Sequence, residues 1–171
     1  MKRILIIGNS GGGKSTMAAK MAEILDLPLV HLDTHFWRPG WIETPDSTWQ
    51  EIAKSLISRD ECIMDGNFSG TLSIRAERAD TIIFLDLPRN VNMKGIFRRV
   101  IKYYGKTRPD LPDGCPEKFD WVFTKWVWNF HNNSRPKVLE ILEPFRSSKN
   151  IITLKSRKEV NNFIDRLIND L

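Results

Sequence analysis

The stretch Gly8-Asn9-Ser10-Gly11-Gly12-Gly13-Lys14-Ser15 constrains this chain more than any other. Gly8 and Gly13 bracket four residues, and Lys14 and Ser15 follow directly, which is the spacing of a phosphate-binding loop. The apolar run Ile4-Leu5-Ile6-Ile7 precedes it, and Met17, Met21, Ile24 and Leu25 recur behind it at helical spacing. Strand, glycine loop and helix in that order is the context the motif requires. Glycines let backbone N–H groups turn inward around phosphate oxygens, where a side chain would obstruct them. The helix that starts at the loop also points its positive dipole end at the anion. These residues, from Gly8 through Ser15 with Thr16 beside them, are therefore expected to bind ATP. Lys14 would reach the β and γ phosphates, and the Ser15 hydroxyl would ligate Mg²⁺.

The rest of the chain repeats the alternation. Apolar runs at 2–7, 28–32, 61–64, 81–85 and 151–154 read as strands. Between and after them, helices are expected over 14–25, 46–59 (capped by Asp46 or Ser47), 72–78, 91–104, 119–130, 135–145 and 156–171. Residues 34–45, with Trp37, Pro39, Gly40 and Trp41, read as loop. So do residues 105–117, which are rich in proline and glycine and read as a lid. Alternating strands and helices imply a three-layer α/β fold, a parallel sheet covered on both faces. A length of 171 residues suits one domain spanning 1–171. No stretch approaches the roughly 20 apolar residues that a membrane-spanning helix needs. Cys62 and Cys115 form neither a disulfide framework nor, with His31, His35 and His131, a zinc pattern, and the expected location is the cytoplasm.

Three acids fall at strand ends, where ligands bind in open α/β sheets: Asp33, Asp65 and Asp86. Asp65 is the favoured metal-linked carboxylate. The net charge of +5 is local. Arg89, Lys94, Arg98, Arg99, Lys102, Lys106 and Arg108 fall in one stretch without an acid, and without these 7 the chain has 19 basic against 21 acidic residues. Lys94, Arg98, Lys102 and Lys106 share one helical face. Met93, Ile96, Phe97, Val100, Ile101 and Tyr104 form the opposite face, expected to be core. Arginines next to a lid, Arg98, Arg99 and Arg108, suit a transferring phosphoryl group, while a nucleic-acid backbone is a second reading of the same charge. In the aromatic helix, Phe119, Phe123, Trp126 and Phe130 are expected to face the core, with Trp121 or Trp128 near a pocket. The three histidines, lacking any motif around them, read as structural or exposed.

The segments GNSGGGKST, HLDTHFWRPGW, IMDGNF, ADTIIFLDLPR, RPDLPDGCPEKFDW and WVWNF resemble the DNA topology modulation proteins (FlaR-like), a small P-loop family that is itself similar to adenylate and shikimate kinases. The resemblance implies a five-stranded parallel sheet in the order 2-3-1-4-5, flanked by helices, with a lid. It supports Lys14 and Ser15 in the nucleotide site and Asp65 as the metal-linked acid. It also implies that Asp33 is a substrate-binding aspartate. Where adenylate kinases continue Asp-Gly with Phe-Pro-Arg, this chain has Asn67-Phe68-Ser69, and Arg75 is the candidate replacement for the missing arginine. The resulting expectation is an ATP-dependent kinase. Lys14, Asp33, Arg99 and Arg108 carry catalysis, and Asp33, Trp37 and Arg75 hold a small-molecule acceptor. The alternative is an ATP-dependent regulatory or nucleic-acid-associated protein.

Overall fold

The computed structural model describes residues 1–170. Five strands form one parallel sheet: β1 (Arg3–Gly8), β2 (Leu29–His31), β5 (Cys62–Asp65), β6 (Thr81–Leu85) and β7 (Asn150–Leu154). Their spatial order is β2-β5-β1-β6-β7. Counted within this sheet, that is the expected 2-3-1-4-5. β1 lies at the centre, pairing with β5 through Ile4↔Ile63 and with β6 through Ile4↔Thr81.

Both faces of the sheet are apolar because both are covered. Alternate residues of β1 and β6 separate to opposite sides. Leu5, Ile7, Ile82 and Phe84 join one core with α3 (Asp46–Ile57), α4 (Ser69–Arg78) and α7 (Arg135–Leu142). Ile4, Ile6, Ile83 and Leu85 join the other with α1 (Lys14–Leu25) and α8 (Arg157–Asn169). No helix among the described residues is long and apolar enough to cross a membrane.

The structure departs from sequence expectation where short-range signals are weak. Residues 34–45 are not simply loop. A short helix α2 (Leu32–Phe36) runs into a two-stranded hairpin, β3 (Trp37–Arg38) and β4 (Ile42–Glu43), turned at Gly40 and Trp41, both with positive φ. Neither Asp46 nor Ser47 caps α3; Pro45 holds the N-cap position, with no side-chain cap. α4 begins at Ser69, a turn earlier than expected, and the last stretch of 135–145 tightens into a 3₁₀ turn, Glu143–Phe145.

Two helices turn a different face inward from the one their apolar periodicity marks. In α5 (Arg89–Tyr103), Phe97 and Ile101 are exposed rather than core, as is Tyr104 just beyond the helix. The inward seam is Asn92, Gly95, Ile96 and Arg99, spaced i, i+3, i+4, i+7. Its Asn92, Gly95 and Ile96 meet the glycine loop instead of the sheet, and Arg99 meets Glu117 and the Phe123 ring. In α6 (Trp121–Asn133) the buried residues are Thr124, Val127 and Phe130. Phe119 and Trp126, expected in the core, are 46% and 41% exposed.

Candidate active site

The glycine loop sits at the carboxyl end of β1, and its conformation explains its composition. Gly11 and Gly13 have φ of 75° and 84°, a region that L side chains rarely adopt. Neighbouring elements hold the loop from outside. Arg157, at the start of α8, donates to the Gly12 carbonyl at 2.8 Å and the Gly11 carbonyl at 3.2 Å. The Asn9 amide donates to the Val127 carbonyl of α6 at 2.9 Å, and its own Oδ1 accepts from the Ser10 N–H. Gly95 lets α5 approach so closely that a Cβ there would lie 2.0 Å from the Gly11 carbonyl oxygen.

Lys14 begins α1 and donates to the Asn9 carbonyl at 3.2 Å. Burial pushes its pKa down, and the charges of Asp33 and Asp65 oppose that shift. Arg99 and Arg108 bear on the same ammonium with like charge. Those two guanidiniums come from α5 and from the 105–117 segment, and they share one acid. Glu117 Oε2 lies 2.9 Å from Nε of each. Arg99 also donates from Nη2 to Glu117 Oε1 at 3.2 Å, so both guanidiniums are ion-paired with this one carboxylate. Burial first, and Arg108 second, push the Arg99 pKa down. Two half-buried guanidiniums whose charge bears on Lys14 fit a polyanion such as a polyphosphate.

The acids are divided. Asp33, in the first turn of α2, has its pKa raised by burial, while the charges of Lys14 and Arg108 pull it back. Asp65 ends β5 and lies 2.5 Å from Nδ1 of His31, at the end of the adjacent β2. Burial alone would lower the His31 pKa. The Asp65 hydrogen bond and the charges of Asp65, Asp110 and Asp33 outweigh it and hold that pKa above the ordinary imidazole value. Asp86 is turned aside, with both oxygens engaged by Arg135 at 2.8 and 2.7 Å. It is a structural ion pair rather than a third site acid.

Lys14, Asp33, Asp65, Arg99 and Arg108 thus converge at the loop. Thr16 is exposed on the first turn of α1, and Arg98 points outward. Trp37 is half-buried, packed edge-on against Phe36 and Trp41 at 4.9 and 5.4 Å between ring centroids. Arg75 is corrected: it is fully buried and reaches no open surface. Its guanidinium donates to the carbonyls of Gly66, Asn67 and Phe68. It therefore pins the turn after β5, where Phe68 has a positive φ of 32°. Burial lowers its pKa to about 9, which leaves it charged at neutral pH.

Sequence reasoning missed His31, Asp110 and Glu117. His31 had no local motif, because its partner lies 34 positions away. Asp110 and Glu117 lay inside the segment read as a lid, where only the arginines drew notice. The Ser15 hydroxyl donates to Asp110 Oδ2 at 2.9 Å, and Arg108 grips both oxygens of the same carboxylate at 3.1 and 2.9 Å.

No protein-family model matches the chain, and no curated protein matches it. Solved structures do. Shikimate kinase from Acinetobacter baumannii is 13% identical, with a TM-score of 0.60, over 99% of this chain and 92% of that one. A gluconokinase from Sinorhizobium meliloti 1021 is 18% identical, with a TM-score of 0.55, over 99% and 94%. Deoxyadenosine kinase from M. mycoides, solved with dCMP and dCDP bound, is 12% identical, with a TM-score of 0.54, over 98% and 96%. These likenesses show a fold: the α/β architecture of P-loop kinases, with a five-stranded parallel sheet between helical layers.

Proposed function

We propose that this protein is an ATP-dependent kinase that transfers the γ-phosphoryl group to a small-molecule acceptor. The observation that carries this reading is the placing of Lys14, Arg99 and Arg108 about the glycine loop beside the half-buried carboxylate of Asp33. Residues Gly8 to Thr16 bind the phosphates of ATP. Mg²⁺, which neutralises phosphate charge when bound, is held at the Ser15 hydroxyl with an acid in support, and Asp65 is the one the sequence favours. Lys14, Arg99 and Arg108 neutralise charge on the transferring group. Asp33 orients the acceptor hydroxyl and takes its proton as the new O–P bond forms. Trp37 lines the acceptor side. The 105–117 segment acts as a lid that excludes water, which would otherwise intercept the phosphoryl group.

We infer common ancestry with the FlaR-like proteins from the tryptophan-bearing segments. The nucleic-acid alternative draws on Lys94, Arg98, Lys102 and Lys106, all of them exposed. Arg99 and Arg108 turn the other way, toward the loop, and the kinase reading accounts for both. A cytoplasmic location accords with this chemistry.

The decisive experiment is a screen of hydroxyl-bearing acceptors with Mg·ATP (nucleosides, nucleotides, sugar acids and other small metabolites), scored as ADP release above acceptor-free hydrolysis. One or more acceptors are expected to raise the rate, and Lys14→Ala to abolish the rise. Full phosphotransfer in Lys14→Ala would sink the scheme. Hydrolysis that no acceptor stimulates would reduce the protein to an NTPase.

A further inference from the structure

None of the acids that sequence reasoning assigned to strand ends, Asp33, Asp65 and Asp86, is hydrogen-bonded to the cation-binding hydroxyl of Ser15. Asp65 turns one oxygen to His31, and Asp86 is held by Arg135. The carboxylate that touches Ser15 is Asp110, which arrives from residues 105–117. In that contact the hydroxyl is the donor, and its oxygen keeps lone pairs that a cation can take. A carboxylate placed behind a ligating group fixes that ligand's orientation and raises its electron density, as outer-shell partners of metal ligands do. Asp110 is itself fixed. Arg108 binds both its oxygens, Thr34 Oγ1 donates to its backbone carbonyl at 3.3 Å, and prolines flank it at 109 and 112. Its side chain is 13% exposed.

We propose that Asp110 is the positioning residue of the Mg²⁺ site: residues 105–117 carry the carboxylate that orients the Ser15 hydroxyl, so divalent-cation binding is completed only when that segment is seated as it is here. This rests on the kinase reading, because it takes Mg²⁺ to bind at Ser15. It adds that metal and lid are thermodynamically coupled. A cation that binds the closed form better must favour closure to the same degree.

The test measures affinity rather than turnover. A fluorescent, non-hydrolysable ATP analogue is titrated into the full chain in excess EDTA and again in saturating Mg²⁺, for wild type, Asp110→Asn and Lys14→Ala. In wild type, Mg²⁺ is expected to tighten binding. In Asp110→Asn that gain is expected to shrink by roughly tenfold or more, the usual scale for losing an outer-shell partner, with metal-free affinity essentially kept. Trypsin cleavage at Lys106 and Lys118 provides a second readout, with Mg²⁺ and analogue together protecting wild type but not Asp110→Asn. A full Mg²⁺ gain in Asp110→Asn overturns the proposal. Equal tightening with and without Mg²⁺ overturns it too, since Asp110 would then be only an anion occupying the empty phosphate site. Loss of metal-free binding in Asp110→Asn would assign the residue to the fold of its segment and also overturn it. If wild type fails to bind the analogue, or Lys14→Ala binds it equally well, the kinase reading itself falls.

Discussion

At the residue scale, Asp33 shows how burial shapes chemistry. Its carboxyl is held above the ordinary value because burial disfavours the charged form more than Lys14 and Arg108 restore it. The folded chain therefore binds this proton more tightly than the unfolded chain does. Stability falls as pH rises from the ordinary carboxylate value to the raised one, and the penalty persists above it. If Asp33 accepts the acceptor's proton, the acid limb of kcat/KM, which reports the free protein, is expected to lie above the ordinary carboxylate range. Asp33→Asn is expected to lower kcat by about 10²- to 10³-fold, the scale of losing a general base. The same variant melts at or above the wild-type temperature at neutral pH, because the buried charge is gone. Steady-state rates and a thermal melt on one preparation test both. A variant with near wild-type kcat would remove Asp33 from the chemistry. The sequence placed Asp33 at the end of a strand, whereas it lies two residues past β2 in the first turn of α2; nor could the sequence show that Arg75, also assigned to the acceptor, is enclosed. Only folding brings three carbonyls of the 66–68 turn around that guanidinium.

At the element scale, α5 explains why apolar periodicity misled. Period-3.6 patterns identify core when a helix packs on a sheet. α5 packs on the glycine loop, so its inward seam contains a polar residue, a glycine and an arginine, while Phe97 and Ile101 face out. The legible part of this helix was its existence and charge. The illegible part was its partner, which lies more than 80 residues earlier at Gly11. Gly95 is the test. Alanine in a helix interior is ordinarily favoured over glycine by about 1 kcal/mol, but here the added Cβ would lie 2.0 Å from the Gly11 oxygen. Relief of that overlap must move α5 or distort the loop, and overpacking of this kind costs about 1–3 kcal/mol. Gly95→Ala is expected to lose stability and to bind ATP more weakly, read from a melt and a binding isotherm. Gly70→Ala, at the start of α4 with nothing within 4 Å of the new Cβ, is the control. A neutral or stabilising Gly95→Ala would mean that the loop tolerates displacement.

At the scale of the whole molecule, the sheet order was open to inference because its causes are local: apolar runs of strand length, a glycine loop, and helices between them. The closure over the site was not, because it is built from single contacts between distant loops. Trp41 Nε1 donates to the Pro116 carbonyl at 3.0 Å, and Gly40 N–H donates to the Gly114 carbonyl at 2.8 Å. The hairpin β3–β4 and residues 105–117 thus hold each other, and Asp110 of that segment reaches Ser15 behind the glycine loop. By the proposed function, a nucleotide seated at the glycine loop would contact elements from both halves of the sheet. It favours the folded state by mass action, about 2.7 kcal/mol at a hundredfold excess over Kd. For a chain of this length each kcal/mol raises Tm by roughly 2–4 °C, so ATP with Mg²⁺ is expected to raise it by roughly 5–11 °C. Because one cooperative unit responds, tryptophan fluorescence and far-UV circular dichroism should shift together. Lys14→Ala should keep its own Tm and lose the increment. A tryptophan signal that shifted while the backbone signal did not would mean that the nucleotide orders only the hairpin and residues 105–117, leaving the sheet uncoupled from the site.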